Sequence, residues 1–509
     1  MTSISTSVGL ERIARVVGYT LTTGDFRETS PNLPQRIAVL AEANTANQGS
    51  LVLTPTEITS ASQAATLYGY GSPMYNILRI LRPVNGGGVA GIPVVAYPQA
   101  EAGSAVAAAR DVTPSGTATK NATHTLIING RGSLDGLRYD FNVATSDVAA
   151  GIVAKMIATV NAVIGSPVIG TDGTGKIILT CKWAGLTSEA LDVTVDTNGN
   201  AAGITYAVVS SGTGAETPSV TTALGLFGEN WNTTVINSYG EAAFVELETF
   251  NGIPDPTTPT GRYQGIIMKP FIALYGDVTA DTSTLTNVTA RKTQVTNASC
   301  PAPNSKGFAM EAAANMARLF ARVAQDTPHL DVNAKTYPDM PVPADGDIGI
   351  MSIYTERDAI IKKGGSTVTL SGGKYKIEDF VTTYHPDGEV TPQFRYPRNL
   401  MLDFNVRYGY FLLEQINVVD KAIANDADII SVNGSIKPKQ WTQIINTYAL
   451  DLAKRALIAD PAFMQASILV GVNGSNPDRL DTFFRYKRTG IARISSTTAE
   501  AGFNFGATD

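Results

Sequence analysis

The residue types in this chain that could do chemistry are few, and their spacing decides against most reactions. The segment GTDGTGK at 170–176 has the glycine and lysine spacing of a phosphate-binding loop, in which backbone N–H groups cradle phosphates and the lysine reaches their outer oxygens. Ile177 stands where that loop needs a Ser or Thr hydroxyl for magnesium, and the strand-like IILTC that follows offers no helix N-terminus to an anion. The segment is predicted to be a turn. Gly86, Gly88 and Gly91 satisfy G-x-G-x-x-G, but Pro93 and the strand-like VVAY follow where a dinucleotide fold needs a long helix. NGRGSLDG at 129–136 lacks that helix as well.

A serine hydrolase needs a histidine to take the nucleophile's proton and an acid to orient it. His124, His329 and His385 are the three histidines; none lies in a recognisable catalytic block, and no G-x-S-x-G occurs. Cys181, Cys300 and these scattered histidines show no metal-ligand spacing. Asp196, Asn198 and Asn200 begin like a calcium loop, but the twelfth position is Ala207, which supplies no carboxylate. The expectation is a protein that is not an enzyme and uses no cofactor or metal.

The elements that would position such residues belong to a chain of 509 residues, a length that predicts about three domains. An apolar fraction of 43 % predicts a folded core, and no run of about 18 apolar residues exists to span a bilayer. With 39 basic against 45 acidic residues, the chain has no broad basic face for nucleic acid. Two cysteines suit a reducing cytoplasm, and the N-terminus does not read as a secretory signal. Only 17 % of residues are charged, so the surface can be covered by copies of itself.

Near the start, Val17, Tyr19 and Leu21 alternate with Gly18, Thr20 and Thr22, a strand signal without a neighbour to pair with. Residues 36–42 (RIAVLAE) predict a strand; Ser60 with Gln63 predicts a capping box on a helix ending at Gly69; Ser72-Pro73 opens a second helix, MYNILRIL. From 101 to 215 the chain turns rich in Gly, Thr, Ala and Asn, with short alternating runs and one helix over about 148–164 after the cap candidate Asp147. This stretch reads as an inserted domain of mixed α and β structure.

After 216, strand-like TVINSY (234–239), a helix over 241–250, GIIMKPFIALYG and helices near 282–292 and 307–325 alternate, which predicts an α/β core. Phe308, Ala312, Met316, Leu319 and Val323 form one helical stripe. Beyond 381 come a stretch punctuated by Tyr, Arg and Pro, a helix from Trp441 to about Ala459, and a strand near 468–472. Residues 381–509 hold 13 basic and 13 acidic residues, so the net charge of −6 lies in the first 380.

Both ends look like strands in search of a sheet. RYKRTGIARIS at 485–495 carries Arg485, Lys487, Arg488 and Arg493 with no acid among them. An extended arm of about 20 residues reaches roughly 65 Å, enough to add its backbone hydrogen bonds to a neighbour's open sheet edge.

The chain resembles the tail sheath proteins of contractile-tailed bacteriophages (myovirus-type, subtilisin-like sheath family). The resemblance lies in RVVGYTLTTGDF leading to LPQRIAVL, in GRYQGIIMKPFIALYGD, in GFAMEAAANMARLFARV, in NLMLDFNVRYGYFLLEQINVVDK and in RYKRTGIARISS, taken in that order; it does not cover 101–215. It implies a multidomain fold of α/β and α+β parts: an N-terminal extended arm over 1–30, a discontinuous subtilisin-like α/β core without protease activity over 31–100 plus 216–380, an inserted mixed α/β outer domain over 101–215, an α+β tube-facing domain over 381–484 and a C-terminal arm over 485–509. It further implies a helical homopolymer around a tail tube protein, with baseplate and tail terminator proteins as further partners. Direct nucleic-acid contact and membrane insertion are not expected. Such a sheath assembles in the host bacterial cytoplasm and resides in the virion tail, and it contracts to drive the tube through the envelope for genome delivery. Arg15, Val17, Tyr19, Leu21, Arg485, Lys487, Ile491 and Arg493 are then the residues expected in intersubunit strand exchange, with Asp451, Lys454 and Arg455 candidates to face the tube. The alternatives are the sheath of a phage-derived bacteriocin or injection system, a subtilisin-like serine hydrolase, and a β-rich surface adhesin, which the α/β pattern disfavours.

Overall fold

The computed structural model describes residues 31–503 apart from 135, 266, 280, 390, 391 and 431. The expected strand around Arg15, Val17, Tyr19 and Leu21 lies outside the described residues.

Six strands form the central sheet: β1 (Ile37–Glu42), β2 (Thr56–Glu57), β3 (Val94–Gln99), β4 (Thr234–Asn237), β5 (Ile272–Asp277) and β6 (Asn297–Pro301), in the order β6-β5-β4-β1-β3-β2. Neighbours run parallel except β2, which joins β3 antiparallel at the edge. Every residue of β1 is buried, as a parallel sheet covered on both faces requires. Successive side chains point to opposite faces, so Ile37, Val39 and Ala41 pack into one apolar cluster and Ala38 and Leu40 into another with Val235, Leu247 and Phe271. The chain is thus a mixed α/β protein.

On the first face lie α1 (Ala61–Tyr68), α2 (Pro73–Leu81) and α3 (Ala309–Asp326). Ser60 Oγ caps α1 by accepting the Gln63 N–H at 3.2 Å, while Gln63 Oε1 reaches back to the Thr59 N–H at 2.9 Å, one residue before the expected box. Ser72 caps α2 through the Tyr75 N–H, and Pro73 fills the first turn, where its missing N–H costs nothing. In α3, Ala312, Met316 and Val323 are buried, Leu319 is half-buried, and Phe308 is the N-cap. The N-terminus of α3 presses on β5 so closely that a Cβ at Gly276 would lie 1.5 Å from the Ala309 carbonyl oxygen; only glycine fits there.

Between β3 and β4 the chain builds two larger antiparallel sheets besides the short pair Ser133–Leu134 and Leu137–Arg138. One orders Thr205–Gly212, Ala109–Ser115, Ile177–Cys181 and Val168–Asp172; the other orders Val193–Asp196, Ala122–Ile128 and Asp140–Val143; the helix Ala149–Ala162 packs on both. Residues 173–176 form the turn of a hairpin, closed by the Gly173 N–H to the Lys176 carbonyl at 2.8 Å. Asp147 does not cap the helix as expected: Val148 is the N-cap, and the Asp147 carboxylate takes the Ala144 N–H and Lys155 instead.

The C-terminal part departs from the sequence reading twice. The Pro-punctuated stretch is a 21-residue helix, α4 (Pro397–Asn417), because Pro397 sits in its first turn, where proline is tolerated. The next helix, α5 (Pro438–Lys454), stops short of Ala459; Ala456 takes a φ of 53°, and Ile458–Ala459 becomes a short strand. Trp441, Ile445, Tyr448 and Leu452 of α5 pack with Leu402 and Val406 of α4 in a separate apolar cluster.

Candidate intersubunit surface

The C-terminal segment folds back on its own chain, and three of its four basic residues, Lys487, Arg488 and Arg493, meet an acid there. Lys487–Arg488 pairs antiparallel with Ile458–Ala459. Arg485 lies over the Phe483 ring, 5.5 Å from its centroid, and its backbone N–H donates to Ser467 Oγ at 2.8 Å. Lys487 Nζ bonds Asp460 at 2.7 Å and lies over Phe463. That lysine, helped by the Phe463 N–H, holds the Asp460 carboxyl below the usual carboxylate range. Arg488 makes a two-pronged contact with Asp403, Nε to Oδ1 at 2.7 Å and Nη2 to Oδ2 at 2.6 Å, and the Tyr486 hydroxyl donates to the same carboxylate at 2.8 Å. Ile491 is half-buried.

Arg493 is the deepest anchor. Its guanidinium bonds Asp379 at 2.9 Å and Asp331, and it stacks 3.7 Å from the centroid of the Tyr396 ring. The Arg493 side chain is 14 % exposed and that of Asp331 3 %, so both charges have left water and depend on each other. Burial raises the Asp379 carboxyl even with Arg493 beside it. Nearby, Arg398 donates to the Thr489 and His329 carbonyls. Replacing Arg493 with Ala is expected to free residues 489–503, so that a protease selective for apolar sites cuts there about tenfold faster; an unchanged cleavage rate would show that the anchor does not hold the tail.

The three tube-facing candidates differ in freedom. Lys454 is exposed in the last turn of α5, whereas Arg455 bonds Asp451 one turn back and the Asn32 side chain. The acids Asp331, Asp379 and Asp403 and the ring of Tyr396 were not singled out by sequence reasoning. No local signal marks them, since they lie far along the chain from the residues they hold.

The rings of His124 and His385 are engaged in structural hydrogen bonds. The His124 ring nitrogens lie 2.6 Å from the Tyr206 hydroxyl and 2.9 Å from the Asn200 carbonyl, and His385 Nδ1 lies 2.6 Å from the Thr383 carbonyl. At the C-terminal end of β1, Glu42 is fully buried, with no hydrogen-bond partner for either carboxylate oxygen, beside Tyr239 and Thr187. Among the described residues no cluster of three His, Cys, Asp or Glu could hold a metal ion, and no helix is long and apolar enough to cross a membrane.

No family model matches the chain. A curated relative, the Mu-like prophage FluMu tail sheath protein of Haemophilus influenzae, is 28 % identical over 196 residues, which are 37 % of this chain and 38 % of the relative. This chain resembles a tail sheath protein. The match spans well under half of the relative's length. Two solved structures align over most of the chain at 11 % identity. The sheath tail protein from Desulfitobacterium hafniense covers 92 % of this chain and all of its own, with a TM-score of 0.43. The anti-feeding prophage baseplate covers 96 % of this chain and all of its own, with a TM-score of 0.45.

Proposed function

We propose that the chain is the structural subunit of a contractile tail sheath. It polymerises helically around a tail tube, is tied to its neighbours by its terminal arms, and shortens to drive the tube through a bacterial envelope. The observation that carries this reading is the relationship to the FluMu tail sheath protein. In this reading the central sheet is a subtilisin-like α/β core without protease activity, residues 381–484 face the tube and 101–215 decorate the outside. The segments 15–21 and 485–495 are the exchanged strands.

The physics suits the task. A head-to-tail contact that does not close generates an open helix. Exchanged strands contribute backbone hydrogen bonds of about 1 kcal/mol net apiece, so arms can act as tethers while domains change their packing. A packing change of that kind is bistable and drives large rigid-body shifts. The socket that holds Arg493 within one chain could receive the same arginine from a neighbour, because a contact made inside one chain can be remade between identical chains at low cost.

Negative-stain microscopy of the purified chain should show striated tubes or hollow cylinders; persistent monomers across salt and protein concentration would sink self-assembly as an intrinsic property. Deleting residues 1–24 should leave the fold intact by circular dichroism and abolish the tubes. Tubes like those of the intact chain would mean that the N-terminal arm is no tether.

A further inference from the structure

An apolar tip and a cleft of matching chemistry stand at separate places on the surface. The tip is the loop between the short parallel strands Ala422–Ile423 and Ser435–Ile436. It presents Ile429, fully exposed, Val432 at 71 % and Ile430 at 38 %, where a monomer gains nothing from three large apolar side chains in water. Its base is fastened: Asp426 accepts the Lys439 N–H at 2.9 Å, Asp428 accepts the Asn425 N–H at 2.8 Å, and Lys437 bonds the Asp428 carbonyl. The tip is therefore held out by bonds at its root. Between 424 and 434 the loop carries Asp426 and Asp428 and no basic residue.

The cleft runs along α1 and α2. A cavity of about 520 Å³ is lined by Tyr70, Tyr75, Val84, Leu137 and Ile164, and an adjoining one of about 380 Å³ continues past Val84 to Arg82 and the glycines at 86–88. Val84, shared by both, is 87 % exposed. The volume is ample for two or three aliphatic side chains. The glycine side is basic: Arg82 bonds the Ala90 and Ile92 carbonyls, Arg318 bonds the Gly87 carbonyl at 2.6 Å, and Arg322 lies close enough to Arg318 to repel it. Glu57 offsets one of these charges, while Asp339 is already committed to Arg79 and Arg131.

We propose that the tip of Ile429, Ile430 and Val432 seats in the cleft around Val84 of a second copy of this chain. Apolar side chains fill the cavities, and Asp426 and Asp428 face Arg82, Arg318 and Arg322. Donor and acceptor are different surfaces, so each added copy leaves one tip and one cleft free, and the contact propagates without closing. Complementary charge at the rim fixes its orientation and speeds encounter. The proposal rests on the self-assembly stated above and names a contact separate from the terminal arms.

The test pairs Ile429→Cys with Val84→Cys in the full chain. Cys181 and Cys300 are buried, and burial pushes both thiols up, which keeps them out of disulfide exchange. Oxidising assembled polymer of the double variant should give a ladder of disulfide-linked dimers, trimers and higher species on a denaturing gel, while each single variant gives none beyond dimer. Polymers of normal appearance without a ladder would overturn the contact and leave the sheath reading standing. If the unsubstituted chain forms no polymer at all, self-assembly as an intrinsic property fails. The contact is then decided by mixing the two single-cysteine variants at high concentration: it requires the mixed disulfide to exceed either homodimer at least tenfold, and equal yields, as an unrelated apolar partner for the tip would leave, overturn it.

Discussion

Replacing Glu42 with Gln is expected to raise the denaturation midpoint at pH 7 to 8 and to flatten the decline of stability with pH. Glu42 closes β1 under the 183–187 loop, and a Cβ added at Gly185 would lie 3.2 Å from its Oε1. Burial pushes its carboxyl from 4.5 up to about 8; Glu101 adds repulsion, and the backbone, Tyr239 and Thr187 only partly offset the two. The folded chain therefore holds a proton that the unfolded chain releases near its ordinary carboxylate value. The stabilisation is complete below about pH 4.5, erodes as pH rises, and is gone above about 8. At 1.36 kcal/mol per unit, the cost has reached about 3 kcal/mol by pH 7. Glutamine keeps the shape and never ionises, so it escapes that cost. Glu248, raised to about 7 by burial against the pull of Arg291 and Asn297, contributes a smaller slope of the same sign, which the Glu42→Gln variant retains. Urea midpoints at pH 5, 7 and 8.5 decide the matter: variant and parent falling in parallel would show that Glu42 is ionised or solvated in the fold.

The parts of the fold legible in the sequence are those governed by one local rule. The run IAVLAE reads as a buried strand because both faces of β1 are covered, and Ser60 and Ser72-Pro73 read as helix starts because a cap is chemistry between residues three apart. Helix α4 escaped because it serves two cores. Leu400, Met401 and Phe404 pack into the central cluster while Leu402 and Val406 pack into the C-terminal one, so its apolar residues form no single stripe to detect. The basic run at 485–493 was legible as charge, but its partners were not. Arg488 meets Asp403 85 residues away, and Arg493 meets Asp331 162 residues away. Such pairings are made by the tertiary fold and leave no spacing in the sequence. The same holds for the Val84 cleft, assembled from α1, α2 and the 137 and 164 loops.

Replacing Glu311 with Gln should destabilise the chain by about 3 kcal/mol, within the range for stripping one partner from a buried ion pair, and should loosen the 101–215 segment in particular. Glu311, 3 % exposed at the start of α3, receives Arg79 of α2 on Oε1 at 2.6 Å and Arg131 on Oε2 at 3.3 Å. The same two arginines bond Asp339 at 2.5 and 2.7 Å, so two cations and two anions alternate around one closed circuit. Although burial alone would raise it, Arg79 and Arg131 hold the Asp339 carboxyl down to about 2. Three of the four residues come from the sheet-and-helix core; Arg131 comes from the loop after Ala122–Ile128, so the circuit is a charged clasp between the two parts. Around it, Asn129 donates to the Lys306 carbonyl at 3.0 Å and Trp183 packs against Phe308 with centroids 5.3 Å apart. Neutralising Glu311 leaves two buried guanidiniums sharing one carboxylate, whereas Arg131→Met removes the cation that crosses the seam and fills its space with apolar atoms. The double variant should then lose less than the sum of the two singles, with a coupling of about 1–3 kcal/mol. Protease cutting at 101–108 and 212–218 should accelerate in Glu311→Gln. Strict additivity, or cutting that speeds up equally throughout the chain, would show that the circuit stabilises the fold at large without clasping the 101–215 segment to it.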